Sequence, residues 1–371
     1  MKEESKRGRV LPIGKLDTAI LRTLVLDKIR KIRPELVLGP GVGEDCAIVT
    51  CTDEELVVST DPITASVRDI GRLAVHISAN DVASDGIEPV AITLCVMLPY
   101  GTTEEDLAHI SDDMVEAAEE VRVQIVGGHT EVTGAVRQPV VISTCFGFAE
   151  RGKTARATDM RAGDIFLLTK SAGLEGTGIL CSDRRESLAT VLTEAEIRLG
   201  IAMLKQVSVV KEGLIAGKIG TSGMHDVTEG GVLSAIWEMC AISGLGADIR
   251  EEAIPVSDLT KKVAAHYGID WKRLISSGCL LIAARPEKAE QIRKAIEAES
   301  IPCTPIGRVQ GRGDEGGIDE KAGKDAHRSA YLSTDENGKR DPVIYLRKQD
   351  GKRVRIQPPT SDELYKVLKR T

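Results

Sequence analysis

The chain has 371 residues, 42% of them apolar and 28% charged, the proportions of a globular protein large enough for a sizeable core. Acidic residues outnumber basic ones, 56 to 49, for a net charge of −7, and aromatics make up only 3%. A general polyanion binder or a base-stacking nucleic-acid module is therefore not expected. No apolar run has the length of a membrane span, and the charged opening MKEESKRGR is unlike a signal peptide, so the expectation is a cytoplasmic protein without a membrane or nucleic-acid partner.

In chain order, Leu16, Ile20, Leu24 and Ile29 fall at helical spacing over residues 16–32. The glycine-rich GPGVGEDC (39–46) follows, then strand-like AIVT and ELVVST, the latter ending at Asp61-Pro62. A helix is predicted over RDIGRLAVHISANDVASDG (68–86), a strand over PVAITLCVML (89–98), and a helix over 102–122 with a threonine cap and an acidic first turn. IVGGHTEVT (125–133) reads as a strand that ends in Gly-Gly and presents polar side chains from a turn; QPVVISTCFGFAE (138–150) is the next strand. After a polar junction at 151–164, the same kinds of element recur. These are strand DIFLLTK, helices around 193–216, MHDVTEGG leading into helix VLSAIWEMCAIS, strand GCLLIAA, helix PEKAEQIRKAIEAE and strand IPCTPIGRVQ. Residues 311–341 are dense in charge and read as a mobile insertion. PVIYLRK, KRVRIQ and a last helix capped by Ser361 close the chain.

The division expected from this pattern is a mobile terminus (1–14), an N-terminal domain (15–152), a C-terminal domain (153–310), the insertion (311–341) and a hairpin with a helix (342–371), two α+β halves in all. The eight cysteines form no C-x-x-C pair and several lie in apolar runs, the pattern of reduced, buried thiols.

Four acidic loops carry the chemistry. In the helix near residue 80, Ile70, Leu73, Ala74 and Ile77 share a face with Asp81, while Val75, Ala79, Val82 and Ala83 line the opposite side. A helix apolar nearly all round is buried, and a carboxylate there needs a partner or a metal; the bland alternative is a helix-end Asp facing water. GPGVGEDC offers Gly41 and Gly43 backbone for an anion beside Glu44 and Asp45, or simply a tight turn; it lacks the Gly-Lys-Ser/Thr of a Walker A loop. Asp61 stands before a proline, as a turn-former would. GGHTE and MHDVTEGG repeat glycines beside oxygen and nitrogen ligands, although Asp226 or Thr228 would also serve as a plain helix cap. KSAGLEGTG (170–178) reads as a glycine loop entering a helix, with Gly173 and Gly176 suited to a phosphate. Together these supply the hard oxygen ligands that Mg²⁺ takes alongside phosphate.

The ordered set GEDCA, STDPIT, ISANDVASDGIEP, IVGGHTEVT, KSAGLEGTG and HDVTEGG resembles the aminoimidazole ribonucleotide (AIR) synthase, or PurM-like, superfamily from about residue 10 to 310. The likeness is greatest to the hydrogenase maturation factor HypE and the AIR-synthase-related proteins. It implies an α+β fold in two domains, the N-terminal one pairing into a dimeric β-barrel and the C-terminal one an α/β sandwich. It implies ATP and Mg²⁺ as cofactors of an enzyme that activates a substrate oxygen. By this resemblance Asp45, Asp61 and Asp81 hold the metal. Gly41, Gly43, Gly127, Gly128, His129, Thr130, Glu131, Gly173, Gly176 and Thr228 surround the nucleotide, and Asp226 and His129 are the catalytic candidates. GGHTE is then a nucleotide-site turn.

HypE proteins carry their acceptor thiol on a C-terminal cysteine, whereas this sequence ends LYKVLKRT with no cysteine after Cys303, so another acceptor, small or protein-borne, is expected. Where several relatives have Asp, this chain has His129, a poor Mg²⁺ ligand better suited to bonding phosphate or base. Three readings stay open. One is a Mg-ATP-dependent ligase, dehydratase, cyclase or kinase. Another is a nucleotide-binding dimer subunit without turnover, and the last is a structural dimer whose Asp81 is paired with Arg or Lys.

Overall fold

Alternation of apolar and polar residues builds two mixed sheets, one in each half of the chain. The computed structural model describes residues 18, 36–38, 41–42, 46–51, 53–64, 69–311, 342–359 and 361–368. The helix expected at 16–32 (apart from Thr18), Gly43, Glu44 and Asp45, and all but Gly311 of the expected insertion lie outside the described residues.

The first sheet contains β1 (Leu36–Leu38), β2 (Ala47–Cys51), β3 (Glu54–Ile63), β4 (Ala91–Leu98), β5 (Gln124–Val132) and β6 (Val140–Glu150), in the order β1-β2-β3-β6-β4-β5. Its pairs are antiparallel except β4 with β5. Helices α1 (Ile70–Ser84) and α2 (Glu104–Val121) cover one face. In β6, buried Val141, Ser143 and Cys145 alternate with half-buried Ile142, Thr144 and Phe146, so the opposite face of the sheet is left open within the chain. Thr103 starts α2 through a capping box with Asp106, as expected from the sequence.

The second sheet contains β7 (Ile165–Thr169), β8 (Gly223–Asp226), β9 (Gly246–Arg250), β10 (Leu280–Ala284), β11 (Cys303–Gln310), β12 (Ile344–Arg347) and β13 (Arg353–Arg355), in the order β13-β12-β9-β11-β7-β10-β8. The helices of this half are α3 (Leu174–Asp183), α4 (Arg185–Leu188), α5 (Glu194–Ala202), α6 (Val210–Ile219), α7 (Gly231–Ser243), α8 (Asp258–Tyr267), α9 (Pro286–Ala298) and α10 (Glu363–Leu368). Helix α7 packs on one face of the sheet, and α6 and α9 on the other. Strand β10, LLIAA, is buried at every position, the unbroken apolar run of a strand covered on both sides.

Among the described residues both sheets are open rather than closed barrels. The two halves meet where α6 crosses α1. A side chain at Gly213 would place its Cβ 2.4 Å from the Ala83 carbonyl oxygen, so only glycine permits this approach.

Candidate functional site

Strand β3 and helix α1 build the centre of the site. Every residue of α1 except Arg72 is buried, which is why its sequence is apolar almost all round. Asp81 sits in that environment at 7% exposure. The Ser59 hydroxyl donates to Asp81 Oδ2 at 2.5 Å and lies 3.3 Å from Asp61 Oδ2, so two carboxylates converge on one hydroxyl. A buried seam of small polar groups continues behind them, with the Ser78 and Ser143 hydroxyls 2.6 Å apart. Asp61 does not end its strand. β3 runs on to Ile63, with Asp61 opposite Ser143 and Pro62 opposite Ile142 on β6. Among the described residues β2 pairs with β3 only as far as Val58.

The donor set tests whether a magnesium ion suits the site. Asp61 and Asp81 offer hard oxygens side by side, and Mg²⁺ is commonly held by one or two carboxylates plus phosphate and water. Among the described residues no cluster of three or more His, Cys, Asp or Glu forms a cage for a metal. The pair fits a metal shared with a phosphate chain and not a closed structural site.

GGHTE is not a turn. Strand β5 continues through Gly127 and Gly128 to Val132, and the glycines mark an irregularity in the parallel pairing with β4. Register slips between Ile92 and Thr93, leaving Val126 as the extra residue on β5. A Cβ on Gly128, at φ 149°, would lie 1.9 Å from the Leu94 carbonyl oxygen, so close backbone approach explains this glycine without a ligand. His129 and Glu131 are exposed on the open face of the sheet, their side chains 3.4 Å apart, with Thr130 between them. Within one chain β6 and β4 separate β5 from β3, so His129, Thr130 and Glu131 are not brought to Asp61 and Asp81.

The KSAGLEGTG glycines serve packing. Gly173 caps α3 in the left-handed region and gives its N–H to Ser276 Oγ at 2.6 Å, while Gly176 N–H bonds the Ile275 carbonyl and its Cα faces Leu274. Glu175 between them is fully buried. Burial raises its carboxyl to about 7, opposed by hydrogen bonding to Ser277 and reinforced by the Asp362 and Asp226 charges. Lys170, just before, is held by Glu212 and by the Ser208 and Gly278 carbonyls at 2.6 and 2.9 Å.

GMHD forms edge strand β8. Asp226, 1% exposed, ends the strand, and Thr228 is half-buried in the turn that follows. Neither caps α7, because Gly230 takes that position in the left-handed conformation. The C-terminal segment seats on this turn. Asp362 accepts from Gly230 N–H at 2.6 Å, and the Tyr365 hydroxyl donates to Glu229 at 2.6 Å. Asp362 also accepts from Leu364 N–H, so it holds the first turn of α10, where the sequence pointed to Ser361. Gly41 lies half-buried ahead of β2.

Several functional groups escaped the sequence reading. Asn80 and Glu212 bind partners more than thirty residues away, which no spacing encodes. Glu238, a lone carboxylate in the apolar helix α7, was the one detectable signal, and it meets His225 Nε2 at 3.0 Å. Among the described residues the cysteines follow expectation: Cys46, Cys145, Cys181, Cys240, Cys279 and Cys303 are buried, and Cys95 is half-buried on the open face. Burial pushes the Cys145, Cys279 and Cys303 thiols up to about 12. Among the described residues no helix is long and apolar enough to cross a membrane.

Residues 43–149 match the N-terminal domain and residues 161–320 the C-terminal domain of the AIR synthase related protein family. A hydrogenase expression/formation protein of Methanocaldococcus jannaschii is 30% identical over 76% of this chain and 84% of its own length. The carbamoyl dehydratase HypE of Azotobacter vinelandii is 30% identical over 88% of this chain and 89% of its own. A HypE from a HypE–HypF complex superimposes with a TM-score of 0.69 at 21% identity, covering 92% of this chain and all of that one. HypE in complex with ATP superimposes with a TM-score of 0.67 at 22% identity, covering 95% and 98%. With two α+β domains, both profile matches and relatives of this extent, the chain belongs to the AIR synthase superfamily, close to HypE.

Proposed function

We propose that this protein is a Mg-ATP-dependent enzyme that activates a carbonyl or amide oxygen of a small or protein-borne substrate, in a HypE-like role in hydrogenase or metallocentre maturation. The observation that carries the reading is the convergence of Asp61 and Asp81 on Ser59, set in a chain whose relatives are named carbamoyl dehydratases. Asp61 and Asp81, with Asp45, would hold the metal, which when bound supplies positive charge against the phosphate oxygens. Gly41, Gly43, Gly127, Gly128, Thr130 and Glu131 would line the nucleotide, and His129 would donate a hydrogen bond to phosphate or base. Gly173 and Gly176 would set the wall behind it. Asp226 would take the proton released by the activated group, and Thr228 would orient the phosphate or the acceptor.

In this reading two copies pair through the open face of the first sheet, closing the dimeric barrel, while the second half forms the sandwich. The open face supports pairing, since Leu56, Val58, Met97, Ile142, Phe146 and Phe148 are apolar and only partly covered within the chain. Pairing would also supply the surroundings that His129 and Glu131 lack in one chain.

Release of ADP and phosphate, with and without magnesium and a carbamoylated thiol, tests the chemistry. Release that requires magnesium and the thiol, and falls about 100-fold or more in Asp81→Asn, is expected. Phosphate transferred intact to an added acceptor would place the protein among the kinases instead.

A further inference from the structure

A band of arginines lies on the outer half of the second sheet. In β9, β11 and β12, Ala247, Ile249, Val309, Ile344 and Leu346 join the core under α7. The alternate residues Asp248, Arg250, Arg308, Tyr345 and Arg347 therefore point to the opposite face. Arg353 and Arg355 of β13 pair with Arg347 and Tyr345, so they share it. Helices α6 and α9 pack on that face too. Among the described residues, the core beneath them draws its strand residues from β7, β8, β10 and Cys303 at the start of β11, and none from β9, β12 or β13. The band is left open to solvent: Arg250 and Arg308 are exposed, and the side chains of Arg347 and Arg353 are 45% and 33% exposed.

The band is held in shape from below. Asp248, 6% exposed, accepts at Oδ2 from Arg347 Nη2 at 2.7 Å and from Arg353 Nη2 at 2.9 Å. The Arg353 guanidinium lies 5.7 Å from the Tyr345 ring centroid, within cation–π range. Arg250 donates to the Pro305 carbonyl at 3.0 Å and Arg308 to the Gly163 carbonyl at 3.3 Å. Planar guanidiniums anchored in this way lose little further freedom on meeting a carboxylate. Lys348 and Lys352, exposed in the turn between β12 and β13, add to the charge, and Asp248, Asp350 and Glu252 offset part of it. A basic face on a chain of net charge −7 selects an anionic partner.

We propose that this face and the edge of β13 bind an acidic strand of a partner protein, its carboxylates alternating with apolar side chains. Among the described strands β13 ends the sheet, so its outer edge is where a further strand can add. Residues two apart on a strand share a face at a spacing of about 6.5 Å, the spacing of Arg353 and Arg355 themselves. Two carboxylates so spaced on the added strand meet those two arginines. The residue between them falls beside Val354, which is 38% exposed and points to the other face with Leu346. The pattern recognised is therefore acidic, apolar, acidic. A single-stranded nucleic acid fits less well, since Tyr345 is the one aromatic side chain in the band and Arg353 lies over it. Binding here does not depend on the nucleotide chemistry above.

Fluorescence anisotropy of a labelled peptide with the core Glu-Val-Glu-Val-Glu, titrated with the full-length protein, is the test. Saturable binding that weakens with added salt is expected, and a Gln-Val-Gln-Val-Gln peptide is expected to bind about 10-fold more weakly or worse. Arg355→Glu and Arg347→Glu are each expected to weaken binding of the acidic peptide about 10-fold or more. Lys294→Glu, the same charge change on α9, is expected to leave it within about twofold. Amide hydrogen exchange across β13 is expected to slow when the peptide is bound. Circular dichroism checks that each variant folds, and because Arg347 bonds Asp248, Arg355→Glu decides the matter if Arg347→Glu does not fold. No saturable binding by the wild type, equal binding of the two peptides, or an equal loss in Lys294→Glu overturns the proposal. So does binding of the acidic peptide without slowed exchange in β13. A single-stranded oligonucleotide or a phosphatidylserine vesicle that binds through Arg347 and Arg355 more tightly than the peptide assigns the face to nucleic acid or membrane and overturns it as well.

Discussion

Asn80 grips the backbone around Val209 with both ends of its side chain. Its Nδ2 donates to the Val207 carbonyl at 2.8 Å and its Oδ1 accepts from Val209 N–H at 2.7 Å. The pair ties α1, in the first half of the molecule, to the segment that leads into α6 in the second. It also fixes the rotation of α1, and the next residue on that helix is Asp81. Asn80→Ala leaves a buried N–H and a buried carbonyl without this partner. A loss of about 1–3 kcal/mol in unfolding free energy is expected, read from urea denaturation. Asn80→Asp keeps the acceptor, loses the donor and is expected to be no milder.

The Ser59 hydroxyl stands between Asp61 and Asp81, and its removal affects both carboxylates. Ser59→Ala is expected to destabilise the free protein by about 1–3 kcal/mol, because the donation to buried Asp81 is lost. Magnesium and ATP together are expected to raise the melting temperature of the wild type, and that increment should shrink in Ser59→Ala and shrink further in Asp81→Asn. An equal increment in all three proteins would locate the metal elsewhere.

Two buried acids give the fold a definite pH dependence. Burial raises Glu175 from 4.5 and Asp362 from 3.8, each to about 7. Between those limits the folded protein binds more protons than the unfolded chain, so stability falls as pH rises. The contribution of these groups is complete below pH 4 and lost as pH passes through 7. Glu175→Gln keeps an acceptor for Ser277 N–H and abolishes the ionisation. Its melting temperature is expected to exceed that of the wild type by a few degrees at pH 8 and to match or fall below it at pH 5.

Much of the centre of the site was legible in the sequence, and for physical reasons. A helix apolar on nearly every side has to be buried, and a carboxylate within it, Asp81, announces a special environment. The capping box that starts α2 is equally local, Thr103 with Asp106. Gly127 and Gly128 misled because glycine serves turns, irregular strand pairing and close backbone approach alike, and only the neighbouring Leu94 carbonyl decides among them. KSAGLEGTG does enter a helix as its glycines suggested, but the partners of the Gly173 and Gly176 N–H groups, Ser276 and Ile275, lie far off in the chain. The pairing of Glu238 with His225, and of Asp362 with Gly230, depends on tertiary neighbours that no spacing encodes.

The open face of the first sheet gives a prediction about assembly. Phe146 and Phe148 meet edge to face there, ring centroids 6.5 Å apart, and Phe148 is 45% exposed. Analytical ultracentrifugation is expected to show a dimer for the wild type and a monomer for Phe148→Asp, with unchanged circular dichroism. A wild-type monomer at tens of micromolar would remove the barrel from the account.

The central claim is that Asp61 and Asp81 hold magnesium against the phosphates of ATP. Isothermal titration calorimetry of ATP into the purified protein, with and without magnesium and repeated on Asp81→Asn, tests it most directly. The account predicts magnesium-dependent binding that weakens about 10-fold or more in a folded Asp81→Asn variant. ATP binding indifferent to both magnesium and Asp81, or no binding by the folded wild type, would contradict it.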